Sequence, residues 1–229
     1  MLIRQNRGGA ETAPENAPPL PPLVCVLDDD PDIRGSIESL LRAEGFSVQT
    51  YASTSEFVMC DSVDRAACLL LDINLGDANG LDFQEELAGN EIPVPVILMS
   101  GYGDIPMTVR GMRAGALDFL AKPLSDDVLL AAVSDAIRKD EVRRAASAAL
   151  DGTRQRYNAL TNREREIMGL VTAGLMNKQI AARLGLSEIT VKIHRGNMTR
   201  KMQADSLADL VRMAEELGAR EASASRFNR

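Results

Sequence analysis

Three short apolar runs in this chain each end in a charged residue. Val24-Cys25-Val26-Leu27 leads into Asp28-Asp29-Asp30, Cys68-Leu69-Leu70-Leu71 into Asp72, and Asp118-Phe119-Leu120-Ala121 into Lys122-Pro123. Runs of this kind read as buried parallel strands, and in an open α/β sheet ligands bind at the carboxyl ends of the strands. Three carboxylates and one lysine would then meet at one rim. Carboxylates this close repel one another unless a cation lies between them, and Mg²⁺ suits one or two carboxylates plus water. With that charge neutralised, one carboxylate can attack a phosphoryl donor, while metal and lysine stabilise the oxygens of the transferring group. The plainer reading is that Asp28 to Asp30 cap the next helix and Lys122-Pro123 is an ordinary turn. The combination of all three strand ends favours the site.

The elements that must position these groups alternate from Leu23 onward. Ile33, Ile37, Leu40 and Leu41 recur at helical spacing up to Gly45. Phe46–Tyr51 alternates like a strand, and a short helix follows from Ser53. After the strand ending at Asp72 come a helix beyond Gly80 and the strand Val94–Met99, leading into Ser100-Gly101. The next helix takes Asp104 as its N-cap and tolerates Pro106 in its first turn. A last helix shows Val128, Leu129, Ala132, Val133, Ala136 and Ile137 on one face. Five βα units predict a flavodoxin-like, doubly wound, five-stranded parallel sheet.

Composition bounds the alternatives. Forty-five per cent of the 229 residues are apolar, enough for a proper core. No apolar stretch approaches the roughly 20 residues of a membrane span. Met1 to Pro22 lacks the apolar run of a secretory signal and, with five prolines, reads as a flexible tail. Cys25, Cys60 and Cys68 have no metal or redox spacing and suit a reducing cytoplasm. The net charge of −7 hides an asymmetry: residues 23–139 carry 8 Lys/Arg against 20 Asp/Glu, and residues 155–229 carry 13 against 8. The basic back half points to a polyanionic partner.

In that back half the strand signal disappears. Residues 139–158 read as a continuing helix with a hinge at Asp151-Gly152. Thr161 and Glu164 make a capping box for a helix running to Gly174. Asn177 can cap a short helix ending at Gly185, Ser187 a longer one to about Met202, and a fourth starts near Asp205 or Ser206. Short helix, glycine turn, longer helix is the helix-turn-helix pattern. At about 100° per residue, Val191, Met198 and Met202 share an inward face, while Lys192, Ile193, Gly196 and Arg200 lie opposite. Lys192 suits a guanine edge or a phosphate, and Ile193 a thymine methyl. Arg195 and Asn197 flank this face. Lys178 suits a phosphate contact that fixes register. The single histidine, His194, sits between the two faces as a packing residue. A small helical bundle binding protein is the alternative, and the basic exposed face favours double-stranded DNA.

From about Leu23 to Ala136 the chain resembles a receiver domain of two-component response regulators, on Asp28-Asp29, Asp72-x-x-x-x-Asp77-x-x-Gly80, Ser100-Gly101 and Lys122-Pro123. The resemblance implies that Asp72 accepts phosphate from a sensor histidine kinase. It also implies that Asp29, Asp72 and the Asn74 backbone carbonyl ligate Mg²⁺, with Asp28 acting through water. Ser100 and Lys122 would bind the phosphoryl oxygens, the Lys122–Pro123 bond would be cis, and Phe119 takes the position of a switch aromatic. Gly76 departs from the pattern, standing where these proteins often carry proline. Residues 160–217 resemble the LuxR/FixJ-type helix-turn-helix output domain. The carrying residues are Leu160-Thr161-x-Arg163-Glu164, Asn177-Lys178-x-Ile180-Ala181 and Ser187-x-x-Thr190-Val191-Lys192-x-His194. Asp104-Ile105-Pro106-Met107 favours the FixJ-like subgroup.

The expected organisation is a tail 1–22, a receiver 23–138, a helical linker 139–158, an all-α helix-turn-helix domain of four helices at 159–219 and a tail 220–229. The expected function is a cytoplasmic response regulator that accepts phosphate on Asp72, forms a homodimer when phosphorylated and binds DNA to regulate transcription. Two rivals are a phosphate-independent DNA-binding regulator that uses the receiver as a dimer platform, and a Mg²⁺-dependent phosphatase or phosphotransferase acting on a separate substrate.

Overall fold

The computed structural model describes residues 21–60, 62–76, 78–90, 92–101 and 105–219. The two tails, Asp77 and Asp104 with its expected cap therefore lie outside the described residues, save for Pro21 and Pro22. By internal contacts the chain divides into two units after Glu141.

The first unit begins with strand β1 (Leu23–Leu27), helix α1 (Pro31–Ala43), β2 (Ser47–Tyr51), α2 (Thr54–Met59) and β3 (Ala66–Asp72). A small antiparallel pair, β4 (Asn74–Leu75) and β5 (Ala78–Asn79), leads into α3 (Gly80–Gly89). Then follow β6 (Val96–Ser100), α4 (Ile105–Arg113), β7 (Asp118–Ala121) and α5 (Asp126–Asn158), whose residues from Val142 onward belong to the second unit. The five longer strands pair in parallel in the order β2-β1-β3-β6-β7. Alternate side chains serve opposite faces of the sheet. Cys25, Leu27, Leu69, Leu71 and Leu98 pack with Phe57, Leu81, Phe83 and Leu87 from α2 and α3. Val24, Val26, Cys68, Leu70, Ile97 and Met99 pack with Ile37 and Leu41 of α1 and Leu129, Val133 and Ile137 of α5. Both faces are thus covered, which is why these strands are continuous apolar runs rather than alternating ones. Burial pushes the Cys25 thiol up to about 12 and Cys68 higher still, so both remain neutral core groups.

The hinge expected at Asp151-Gly152 is absent, because α5 continues through both residues to Asn158. One glycine costs a helix only about 1 kcal/mol relative to alanine. The surrounding Ala145, Ala146, Ala148 and Ala149 are strong helix formers, and Thr153 Oγ1 donates back to the Ala149 carbonyl at 3.0 Å across the glycine.

The second unit contains α6 (Asn162–Thr172), α7 (Asn177–Leu184), α8 (Glu188–Met202) and α9 (Leu207–Glu216). Its core joins Ile167, Met168, Ile180, Val191, Met198, Met202 and Met213. The Thr161–Glu164 capping box forms, and buried Glu164 also meets Lys201 Nζ at 2.7 Å. Burial works against the Glu164 carboxylate, but the Lys201 charge and the cap hydrogen bonds outweigh it and hold the group below the usual range. Asn177 is not the cap of α7. Met176 occupies that position and its amide donates to Gln179 Oε1 at 2.8 Å. The Asn177 amide oxygen instead accepts from Arg195 Nη1 at 2.5 Å, tying α8 to the start of α7.

Candidate functional site

The sheet order brings four strand ends to one rim, with β3 between β1 and β6 and β7 beyond β6. Asp28 follows β1, Asp72 ends β3, Ser100 ends β6 and Lys122 follows β7. Each role at the end of β1 is separate. Asp30 caps α1, its Oδ1 accepting from Asp32 and Ile33 amides at 2.8 and 3.3 Å, so the capping reading holds for Asp30 alone. Asp28 is buried and accepts from the Asp30 amide at 2.9 Å, whereas Asp29 is exposed.

Lys122 Nζ donates to Asp28 Oδ2 at 2.7 Å and lies 3.2 Å from Asp72 Oδ1. The second approach lacks hydrogen-bond geometry, so Asp72 Oδ1 is a buried oxygen without a hydrogen-bond donor. Burial pushes the Asp72 carboxyl above the usual carboxylate range, and attraction to Lys122 offsets only part of that. Burial also opposes the Lys122 ammonium, but its bond to Asp28 and the charge of Asp72 prevail and hold it above an ordinary lysine. The Lys122–Pro123 peptide is cis, and the Lys122 amide donates to the Ser100 carbonyl at 2.8 Å, which fixes the stem of the lysine against β6.

Asp28, Asp29 and Asp72 each place a carboxylate oxygen within 4.8 Å of the others. Three carboxylates, one of them with an undonated buried oxygen, fit a divalent cation that prefers oxygen ligands. Asn74, the other expected ligand through its carbonyl, is two residues beyond Asp72 in β4. Gly80 closes the loop that carries these groups. A Cβ there would lie 2.2 Å from the Asp72 carbonyl oxygen, and the Gly80 amide donates to the Ile73 carbonyl at 2.8 Å. Gly76 has φ +57°, a left-handed conformation closed to proline, so the loop takes a turn that the more usual residue cannot adopt.

Ser100 is fully buried, and Phe119, one strand away opposite Leu98, is half-buried against the core. In the second unit, Val191, Met198 and Met202 are fully buried on α8, while Lys192, Ile193, Gly196 and Arg200 are exposed. Lys178 is exposed at the start of α7. Arg195 and Asn197 are half-buried, the first held by Asn177 and the second accepting from Arg200 Nη1 at 3.4 Å. His194 is half-buried between the faces. One exposed residue of α8 went unnoticed in the sequence: Ile189, in its first turn. Extending the helical wheel one turn before Ile193 would have found it.

Residues 24–134 match the family described as response regulator receiver domain, and residues 158–214 the bacterial regulatory proteins of the luxR family. Nodulation protein W of Bradyrhizobium diazoefficiens is 47% identical over 196 residues, covering 86% of each chain. The chain belongs to the two-component response regulators with a LuxR-type output domain. Among other relatives, the transcriptional regulatory protein FixJ of Rhizobium meliloti is 38% identical over 194 residues, covering 83% of this chain and 94% of that one. The solved structure of the response regulator StyR superposes with a TM-score of 0.77 at 40% identity, covering 86% of this chain and 99% of the other. A response regulator of this type is a DNA-binding transcription regulator, which removes the reading as a phosphatase with a substrate of its own. No described helix is long and apolar enough to cross a membrane.

Proposed function

We propose that this regulator accepts a phosphoryl group on Asp72 from a sensor histidine kinase in the cytoplasm, and that the resulting change pairs two copies on DNA. The undonated, buried Asp72 Oδ1 beside Lys122 is the observation that carries this reading. Asp29, Asp72 and the Asn74 carbonyl would hold Mg²⁺, with Asp28 acting through water. When bound, the cation would neutralise the carboxylates and polarise the incoming phosphoryl oxygens. Lys122 can turn from Asp28 toward the new phosphoryl oxygens, and Ser100 supplies a hydroxyl from the adjacent strand. Movement of Ser100 leaves room for Phe119 to turn inward.

The working parts in this reading are a receiver at 23–138, a helical linker at 139–158 and the helix-turn-helix at 159–219, with tails at 1–22 and 220–229. Ile105, Val109 and Met112 form an exposed apolar stripe along α4, which supports pairing of two receivers there. Two recognition helices would then sit about 34–36 Å apart, one DNA turn. Lys192, Ile193, Gly196 and Arg200 would face the major groove, with Lys178, Arg195 and Asn197 around them. Moving an almost-off population to almost-on takes about 5.5 kcal/mol, which new charge-assisted bonds and a dimer contact can supply together.

Radiolabelled acetyl phosphate with Mg²⁺ should label the wild type and leave Asp72→Asn unlabelled. Gel filtration with light scattering should show monomer becoming dimer on adding beryllofluoride and Mg²⁺. Retained labelling in the variant sinks the assignment of Asp72. An unchanged mass with DNA binding intact would favour the phosphate-independent dimer platform.

A further inference from the structure

Ile189, in the first turn of α8, is 73% exposed, and Ile193, one turn later, is 58% exposed. At about 100° per residue the two lie about 40° apart around the helix, with Gly196 and Arg200 in the same sector. The burial of Val191, Met198 and Met202 fixes the rotation of α8, so neither isoleucine has a core to turn toward. A single exposed isoleucine needs no explanation. Two on successive turns of the recognition helix do, because they sit where polar base-readers would be expected. Lys192 lies beside them and Arg200 beyond them on the same face, and the neighbouring concavity at Gly196 is lined by Lys192, Arg195, Thr199 and Arg200 but by neither isoleucine. An apolar strip rimmed by cations matches a surface with phosphates at its edges and methyl groups on its floor. The major groove at thymines is such a surface.

We propose that Ile189 and Ile193 form a paired methyl reader that selects thymines, with Ile189 setting the position reached by the N-terminal end of α8. The inference rests on the DNA-binding reading of this helix. Residues at the N-terminal end of a recognition helix are the ones that reach base edges. A rise of about 1.5 Å per residue separates the two side chains by about 6 Å along the axis, close to two base steps of about 3.4 Å. An isoleucine has no donor or acceptor, so it discriminates by contact alone: the 5-methyl of thymine fills the gap and the hydrogen of cytosine or uracil leaves it open. Gly196 permits the helix to approach closely enough for that contact. Losing one buried methyl corresponds to roughly fourfold in Kd, about 0.8 kcal/mol.

The test uses the full-length protein with beryllofluoride and Mg²⁺. Binding sites are selected from a random duplex library, and each thymine in the best site is then replaced singly by deoxyuridine. The expected result is two thymines per half-site whose replacement weakens binding roughly fourfold each. Ile189→Ala should lose the uracil sensitivity at one of the two, keeping the other and its salt dependence. Selected sites without thymine, no effect of uracil, or identical profiles for wild type and Ile189→Ala would each overturn the proposal. So would an Ile189→Ala protein that selects the same sites yet fails to regulate transcription, which would assign Ile189 to a protein contact. Recovery of no duplex at all would overturn the DNA-binding reading itself.

Discussion

Asp28 and Asp72 are 0% and 4% exposed, whereas Lys192, Ile193 and Arg200 on α8 stand in solvent. The acidic rim holds its charges in a low-dielectric environment, where orientation comes from strand ends and a close glycine. The face of α8 holds only the helix rotation fixed, through three buried side chains beneath it. The difference predicts how each site couples to folding. A buried set of like charges is part of the stability of its unit, so perturbing it changes both folding and function. Solvated charges leave stability alone and act only when the polyanion arrives.

The largest test of this contrast is Lys122→Ala. It removes the cation that sits 2.7 Å from Asp28 and 3.2 Å from Asp72. Taking one partner from a buried ionic cluster typically costs about 3–5 kcal/mol. Chemical denaturation at pH 7 without Mg²⁺ should show a loss of that order in the first unit. A loss below about 1 kcal/mol would mean that the rim is solvated far more than its burial indicates.

The second test is pH. The folded Asp72 carboxyl lies above its unfolded value, so between those two values the folded state binds more protons than the unfolded one. Stability contributed by this group therefore falls as pH rises through that window and is greatest on the acid side. Metal binding should reverse the penalty, because a cation that binds only the folded site at ten times its Kd adds about 1.4 kcal/mol. Melting curves across mildly acidic pH, with and without Mg²⁺, should diverge as pH rises. Asp72→Asn should flatten both the slope and most of the Mg²⁺ response.

These contrasts also explain what was legible from sequence. The rim was readable because Asp28, Asp72 and Lys122 each end an apolar run, and burial on both sheet faces forces such runs to be strands. The capping box at Thr161 and the inward face of α8 were equally local signals. Three features were less legible. Gly152 looked like a break, but the alanines around it and the Thr153 bond keep α5 helical. Asn177 looked like a cap until a partner 18 residues away, Arg195, claimed its side chain. Gly80 gave no hint that its missing Cβ makes room for the Asp72 carbonyl. For Asn177 and Gly80 the deciding atom belongs to a segment or a backbone path that spacing does not encode, whereas at Gly152 neighbouring helix formers outweigh the glycine.

The smallest structural effect, and the sharpest test of the other half of the comparison, is Lys192→Ala. Lys192 is exposed and has no ion pair among the described residues, so melting should change by no more than about 0.5 kcal/mol. DNA affinity should nevertheless fall. If Lys192 meets a phosphate, the slope of log K against log salt becomes shallower by about 0.9, and binding weakens evenly across sequences. If it meets a guanine edge, the loss of about 1–3 kcal/mol concentrates at one base position. Arg195 supplies the internal control, since its bond to Asn177 joins two helices. Arg195→Ala should therefore lower the melting temperature as well as the affinity. A Lys192→Ala protein that melts like Arg195→Ala would erase the distinction between a solvated reading face and a structural one.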